Sequence, residues 1–160
     1  MTRATLLLSL AATMLACERG PAPAPAGSAS AASAEALAAE FAALTPAARE
    51  QAARQPCYTR PTCPTARTRA LLQSAPEAER KALTATLVKA LAAEVQSELS
   101  KRHGTVVRVS VSAGRVLIAG VCSKVVLENF LATAGPHAKQ AGITHVECAS
   151  QALSASAELP

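Results

Sequence analysis

The chain contains no aspartate, no tryptophan, one tyrosine and two phenylalanines in 160 residues. Without aspartate a Ser-His-Asp triad is excluded, and only a glutamate version of it remains open. So few aromatics leave no platform for stacking bases, and nucleic acid is not expected as a partner. No C-x-x-C pair occurs among the cysteines, which argues against thiol oxidoreductase and zinc-knuckle chemistry. The single strongly apolar run, from Leu6 to Leu15, is too short to cross a bilayer. Hydrophobic residues make up 50% of the chain, but alanine supplies much of that share, so a small core is expected.

That short run has a function of its own. Met1 to Ala16 carries one positive charge, Arg3, then the apolar stretch, then Met14, Leu15, Ala16 and Cys17. This is the layout of a secretory signal peptide over residues 1–16. Met14 to Cys17 resembles the lipobox of bacterial lipoproteins, in which the cysteine is acylated and becomes the mature N-terminus. Ordinary signal cleavage wants small residues at the last and third-last positions, which Ala16 satisfies and Met14 does not. Cys17 is therefore the expected lipidation site, and the membrane the expected partner through that anchor. Glu18 stands where some bacteria use aspartate for inner-membrane retention. The expected address is the bacterial cell envelope, facing the periplasm, on the outer rather than the inner membrane.

Cysteine arithmetic agrees with export. Setting Cys17 aside leaves Cys57, Cys63, Cys122 and Cys148, an even set that an oxidising compartment would close into two disulfides, with three pairings open. The formal charge of +5 comes mainly from residues 49–81, which hold Arg49, Arg54, Arg60, Arg67, Arg69, Arg80 and Lys81. Such cations either form a solvated helical surface or face anionic headgroups, where each nearby one contributes about 1 kcal/mol. Arg60, Arg67 and Arg69 are the candidate contacts.

The Pro/Ala-rich segment 17–33 reads as a disordered tether, reaching at most about 50 Å over sixteen residues of polyproline II. Residues 34–74 read as short helices and a basic loop from Cys57 to Cys63. Leu37, Phe41 and Leu44 have helical spacing, and Thr45-Pro46 marks the start of a second helix. Ser74 and Glu77 match a capping box for a long helix over 75–102. Leu83, Leu87, Leu91, Val95 and Leu99 form its apolar stripe, Glu77–Lys81 and Glu98–Arg102 its i,i+4 pairs, and Gly104 its stop. The pattern then switches to period two at Val107, Val109 and Val111, turns at Ala113-Gly114, and returns from Arg115 to Val121. Ser123 caps a helix carrying Leu127, Phe130, Leu131 and Ala134, which Gly135-Pro136 interrupts. Ile143 to Cys148 closes as a strand, and 150–160 reads as a loose tail.

The hairpin with Val107, Val109, Val111, Gly114, Val116, Ile118 and Gly120, the following helix, and Gly142-Ile143 with Val146 resemble the BON domain of bacterial envelope proteins. The resemblance covers about residues 82–149. It implies an α+β fold over 75–149, helix-strand-strand-helix-strand, with helices on one face of a small mixed sheet. It further implies envelope association, phospholipid binding in some members, and no catalytic residue. A strand-helix-strand crossover in one sheet is parallel, which places Cys122 and Cys148 at neighbouring strand ends. The favoured pairing is then Cys122–Cys148 with Cys57–Cys63, the first contributing roughly 3 kcal/mol.

No enzyme is expected. His103, His137 and His145 lack a partner at informative spacing, and an active site would have to gather His145, Glu147 or Ser123. Glu94 and Glu98 share a helix face among basic neighbours, which reads as solvation. No metal site and no cofactor are expected. The leading expectation is a non-enzymatic, membrane-anchored binding module for lipid headgroups or an envelope protein. The alternative is a partner-specific accessory or inhibitor lipoprotein with no lipid contact beyond its anchor.

Overall fold

The computed structural model describes residues 27–160, with side chains from Ala34 onward. The signal segment, Cys17 and the Pro-rich start of the tether lie outside the described residues. Four helices come first: α1 (Gly27–Ala42), α2 (Pro46–Arg54), α3 (Thr65–Ser74) and α4 (Glu77–His103). Helix α1 corrects the expected tether, because residues 27–33 are already helical. Their Ser/Ala composition is poor in breakers, and alanine has the highest helix propensity of any residue.

Helix α2 starts as expected, with the Thr45 hydroxyl accepting from the Ala48 amide at 3.3 Å and Pro46 in the first turn. The capping box at Ser74 does not form. Ser74 instead ends α3, its hydroxyl donating to the Leu71 carbonyl at 3.0 Å, and Pro76 occupies the N-cap of α4 without a side-chain bond. Proline at 76 keeps Ala75 extended, which separates the two helices. Glu98 and Arg102 pair at 3.4 Å, whereas no ion pair joins Glu77 to Lys81. All five stripe residues, Leu83, Leu87, Leu91, Val95 and Leu99, are buried.

The sheet follows: β1 (Arg108–Ser112), β2 (Arg115–Ala119), then α5 (Lys124–Ala132), α6 (Gly135–Gln140), β3 (His145–Ala149) and β4 (Ser154–Glu158). The fold is mixed α+β, and the four strands run in the order β1-β2-β3-β4. Strands β1 and β2 are antiparallel, β2 and β3 parallel, and β3 and β4 antiparallel. Val116, Ile118, Val146 and Cys148 point into the core. The opposite face, with Arg108, Ser110, Arg115, Leu117, Ser154 and Ser156, is open. Strand β4 corrects the expected loose tail. Its Ser/Ala alternation carries little hydrophobic contrast and weak β-propensity, so period two was faint. Its pairing comes from β3 through a turn closed by the Ser150 amide donating to the Leu153 carbonyl at 2.8 Å.

The helix is interrupted where expected: α5 stops at Ala132, and Pro136 lies in the first turn of a new helix, α6. The N-terminal helices are not a separate region: Phe41, Ala53, Tyr58 and Leu71 share one core with Leu87, Ile118 and Phe130. Both disulfides take the favoured pairing, Cys57–Cys63 and Cys122–Cys148, with Cα atoms 5.5 and 5.0 Å apart. Cys122–Cys148 closes the β2-to-β3 crossover over a separation of 26 residues. Its removal by Cys122→Ser/Cys148→Ser should destabilise the fold by roughly 3 kcal/mol. Thermal unfolding checks this, and a change below about 1 kcal/mol would show that the crossover is held otherwise.

The hairpin turn holds a local backbone strain. Ala113 (φ 47°) and Gly114 (φ 73°) both adopt the positive φ that a two-residue type I′ turn requires. An L-residue in that conformation costs about 1 kcal/mol, which glycine avoids. Ala113→Gly should therefore raise the unfolding midpoint, measurable by calorimetry as a shift of a few degrees for a gain of about 1 kcal/mol.

Candidate functional site

The expected basic site rests on the Cys57–Cys63 loop, which has prolines at 56, 61 and 64. The disulfide closes two consecutive turns, with the Arg60 amide donating to the Cys57 carbonyl at 2.9 Å and the Cys63 amide to the Arg60 carbonyl at 3.0 Å. Glu94 of α4 holds this loop from below. Its carboxylate accepts from the Tyr58 amide at 2.9 Å, the Thr59 amide at 3.2 Å and the Thr59 hydroxyl at 2.7 Å. Bonds to an ionised acceptor are roughly twice as strong as neutral ones. Glu94 is thus a structural anchor rather than a merely solvated carboxylate.

Tyr58 is fully buried and donates its hydroxyl to the Ala53 carbonyl at 2.5 Å. The loop therefore reaches into the core through Tyr58. Beside it lies His137, also buried, in edge contact with the Tyr58 ring at 5.5 Å and with Nδ1 2.8 Å from the Thr68 hydroxyl. Burial pushes the His137 pKa below its usual value, against an opposing hydrogen bond with the Cys63 backbone and the charge of Glu94. Burial also raises the Tyr58 pKa, opposed by Arg67. Both groups are held neutral, and both lie out of solvent's reach. The arrangement locks α3, α6 and the loop together.

The cations separate into engaged and exposed. Arg67 donates to the Ala52 carbonyl at 3.2 Å and to Gln55 Oε1 at 2.9 Å, and its guanidinium lies 5.7 Å from the centre of the Phe41 ring. Arg60 is exposed at the loop tip and shares with Arg67 a shallow depression of about 220 Å³, bordered by Pro56, Thr62 and Pro64. Arg69 reaches Gln140 of α6 at 3.4 Å and does not line that depression. The structure thus joins Arg60 to Arg67 and places Arg69 elsewhere. Arg49 leaves the surface altogether. It donates to the Leu44 carbonyl at 2.6 Å and to Glu79 at 2.9 Å, and its Nε is buried without a partner. Arg54 pairs with Glu50 at 2.5 Å. Much of the charge surplus of residues 49–81 is therefore bound within the protein.

The groups that would have to form an active site do not converge. Ser123 accepts from the Val126 amide at 3.2 Å as the cap of α5. His145 lies 3.5 Å from Glu158, and Glu147 pairs with Arg115 at 3.1 Å, both on the open face of the sheet. Among the described residues no group of three His, Cys or Glu side chains has metal-binding geometry, and no helix is long and apolar enough to cross a membrane. No family model, curated protein or solved structure matches this chain.

Sequence reasoning read Glu94 as solvated and His137 as a surface or structural histidine, without the partners that fix either one. Glu94 sits beside Val95, three residues after Leu91 on the edge of the buried stripe, a position where a carboxylate meets whatever packs on the helix. The neutral His137 makes stability depend on pH. Its folded pKa lies below the unfolded value of about 6.5, so its contribution is complete above that pH and is lost as pH falls toward the folded pKa. Urea midpoints should fall between about pH 7.5 and pH 5, and His137→Gln should flatten that decline. An equally steep decline in the variant would place the responsible proton elsewhere.

Proposed function

We propose that this chain is a non-enzymatic lipoprotein of the bacterial envelope, anchored through Cys17, whose folded domain is a binding module. The observation that carries the reading is the state of the cysteines. Both pairs expected of an exported protein are closed as disulfides, which leaves Cys17, behind an apolar leader, as the remaining cysteine. The order α4-β1-β2-α5-β3, with β2 parallel to β3, supports a BON-like reading of the C-terminal region, to which α6 and β4 are additions. Periplasmic exposure on the outer membrane follows from the leader and from Glu18.

The ligand class best supported is the anionic lipid headgroup, met by Arg60 at the tip of a loop fixed by a disulfide and by Glu94. A rigid loop presents its charge without the ordering cost that a flexible one would incur. Arg67 supplies positive potential from the depression beneath. A second reading, an accessory or inhibitor lipoprotein that docks a protein, draws on the open and partly polar face of the sheet.

Cys17→Ser should release the protein from the membrane fraction, because buried acyl chains supply about 0.8 kcal/mol per methylene and no described helix can replace them. Retention of that variant through high salt and carbonate would refute the anchor. The released form should float with phosphatidylglycerol vesicles at low salt and not with phosphatidylcholine vesicles, and Arg60→Glu should abolish flotation. Equal flotation of the Arg60 variant would refute the loop as the contact.

A further inference from the structure

The two edges of the sheet are treated differently by the rest of the chain. On the β1 edge, helix α4 supplies acceptors: Gln96 Oε1 takes the outward Val109 amide at 3.0 Å, and the Ser100 hydroxyl takes the Val107 amide at 3.2 Å. That edge is capped by side chains at its start, over Val107 and Val109.

The β4 edge is bare. The bonds that bracket it, from the Ser150 amide to the Leu153 carbonyl and from the Leu159 amide to the Thr144 carbonyl, set the phase of the ladder. In that phase Ala155 and Ala157 bond to β3 opposite Cys148 and Val146. Ser154, Ser156 and Glu158 therefore direct their N–H and C=O groups away from the sheet. Among the described residues no hydrogen bond reaches those outward amides. Strand β4 has no proline, no lysine and no bulge to protect its edge, and its one charge, Glu158, sits at its end.

From this edge we infer that β4 pairs with β4 of a second copy of this chain, joining two four-stranded sheets across a two-fold axis at Ser156. The sequence of β4 is self-complementary in that register. Ser156 faces Ser156, and Ser154 faces Glu158 of the second copy, so the only charged residue of the strand never meets its own kind. The inward alanines, Ala155 and Ala157, face each other with little bulk to clash. All three outward residues fall in hydrogen-bonded pairs, each exchanging two backbone bonds. Because the two-fold contact uses the β4 edge of both copies, the pairing closes at two copies instead of extending into a filament through β4. The inference is independent of the ligand and anchor proposed above.

Sedimentation of the full chain carrying Cys17→Ser tests it, together with amide hydrogen exchange read at Ser154, Ser156 and Glu158. The expected result is a concentration-dependent dimer in which those three amides gain protection as the dimer forms. Ser156→Lys keeps the backbone donor but sets two like charges against each other on the axis, and should weaken the dimer at least about tenfold. Ser156→Pro removes the central donor and should abolish it. If the proline variant loses its circular dichroism, the lysine variant decides. A monomer at every concentration overturns the inference. So does a dimer that Ser156→Lys leaves unchanged, because the interface then lies elsewhere.

Discussion

The buried stripe of helix α4 is the one constraint that joins the N-terminal helices to the sheet in this small core. The chain has little aromatic bulk, so no single cluster of large side chains could close the interior. Instead five residues at helical spacing, Leu83 to Leu99, run the length of the core and give each layer a surface to cover. The sheet packs on this helix through β1, and helices α2 and α3 pack on it elsewhere. At about 25 cal/mol per Å² of apolar area, alanine-rich neighbours contribute little each, and stability rests on the continuity of that stripe.

Polar contacts on the same helix add specificity. Glu94 fastens the Cys57–Cys63 loop, Gln96 and Ser100 cap the Val109 and Val107 amides at the start of the β1 edge, and Glu79 pairs with buried Arg49. Each of these contacts ties a different element to one rigid rod. The result is a fixed loop that carries an exposed arginine and a sheet whose β1 edge is capped at its start while its β4 edge is bare. On the proposed reading, function is a matter of presentation: a cation on a fixed loop at one place and an unpaired strand at another.

The legible parts of the sequence were those with strong contrast. The α4 stripe, the valine alternation of β1 and the Ala113-Gly114 turn each carry a period or a backbone requirement that few other arrangements satisfy. The parallel crossover, and with it the Cys122–Cys148 pairing, followed from strand order. What stayed hidden had low contrast or depended on distant partners. Strand β4 is Ser-Ala-Ser-Ala-Glu, and only its pairing with β3 makes it a strand. The Ser74 box failed because Pro76 had already fixed the geometry at the helix start. Arg49 and Arg67 looked like surface groups, and the carbonyls that engage them carry no side-chain signal in the sequence; His137 read only as a surface or structural histidine, because its partner Thr68 is remote in sequence.

The central claim is that the N-terminal helices, the disulfide loop and the sheet form one cooperative unit through α4. Tyr58 offers a direct reading, because it is the only tyrosine and there is no tryptophan. Its fluorescence therefore reports on the loop, while far-ultraviolet circular dichroism reports on all helices and strands. In a urea titration of the Cys17→Ser form, the account predicts superimposable transitions with one midpoint and one slope. Loss of the Tyr58 signal well before the circular dichroism would contradict it, by showing that the loop and its helices come away while the sheet stands.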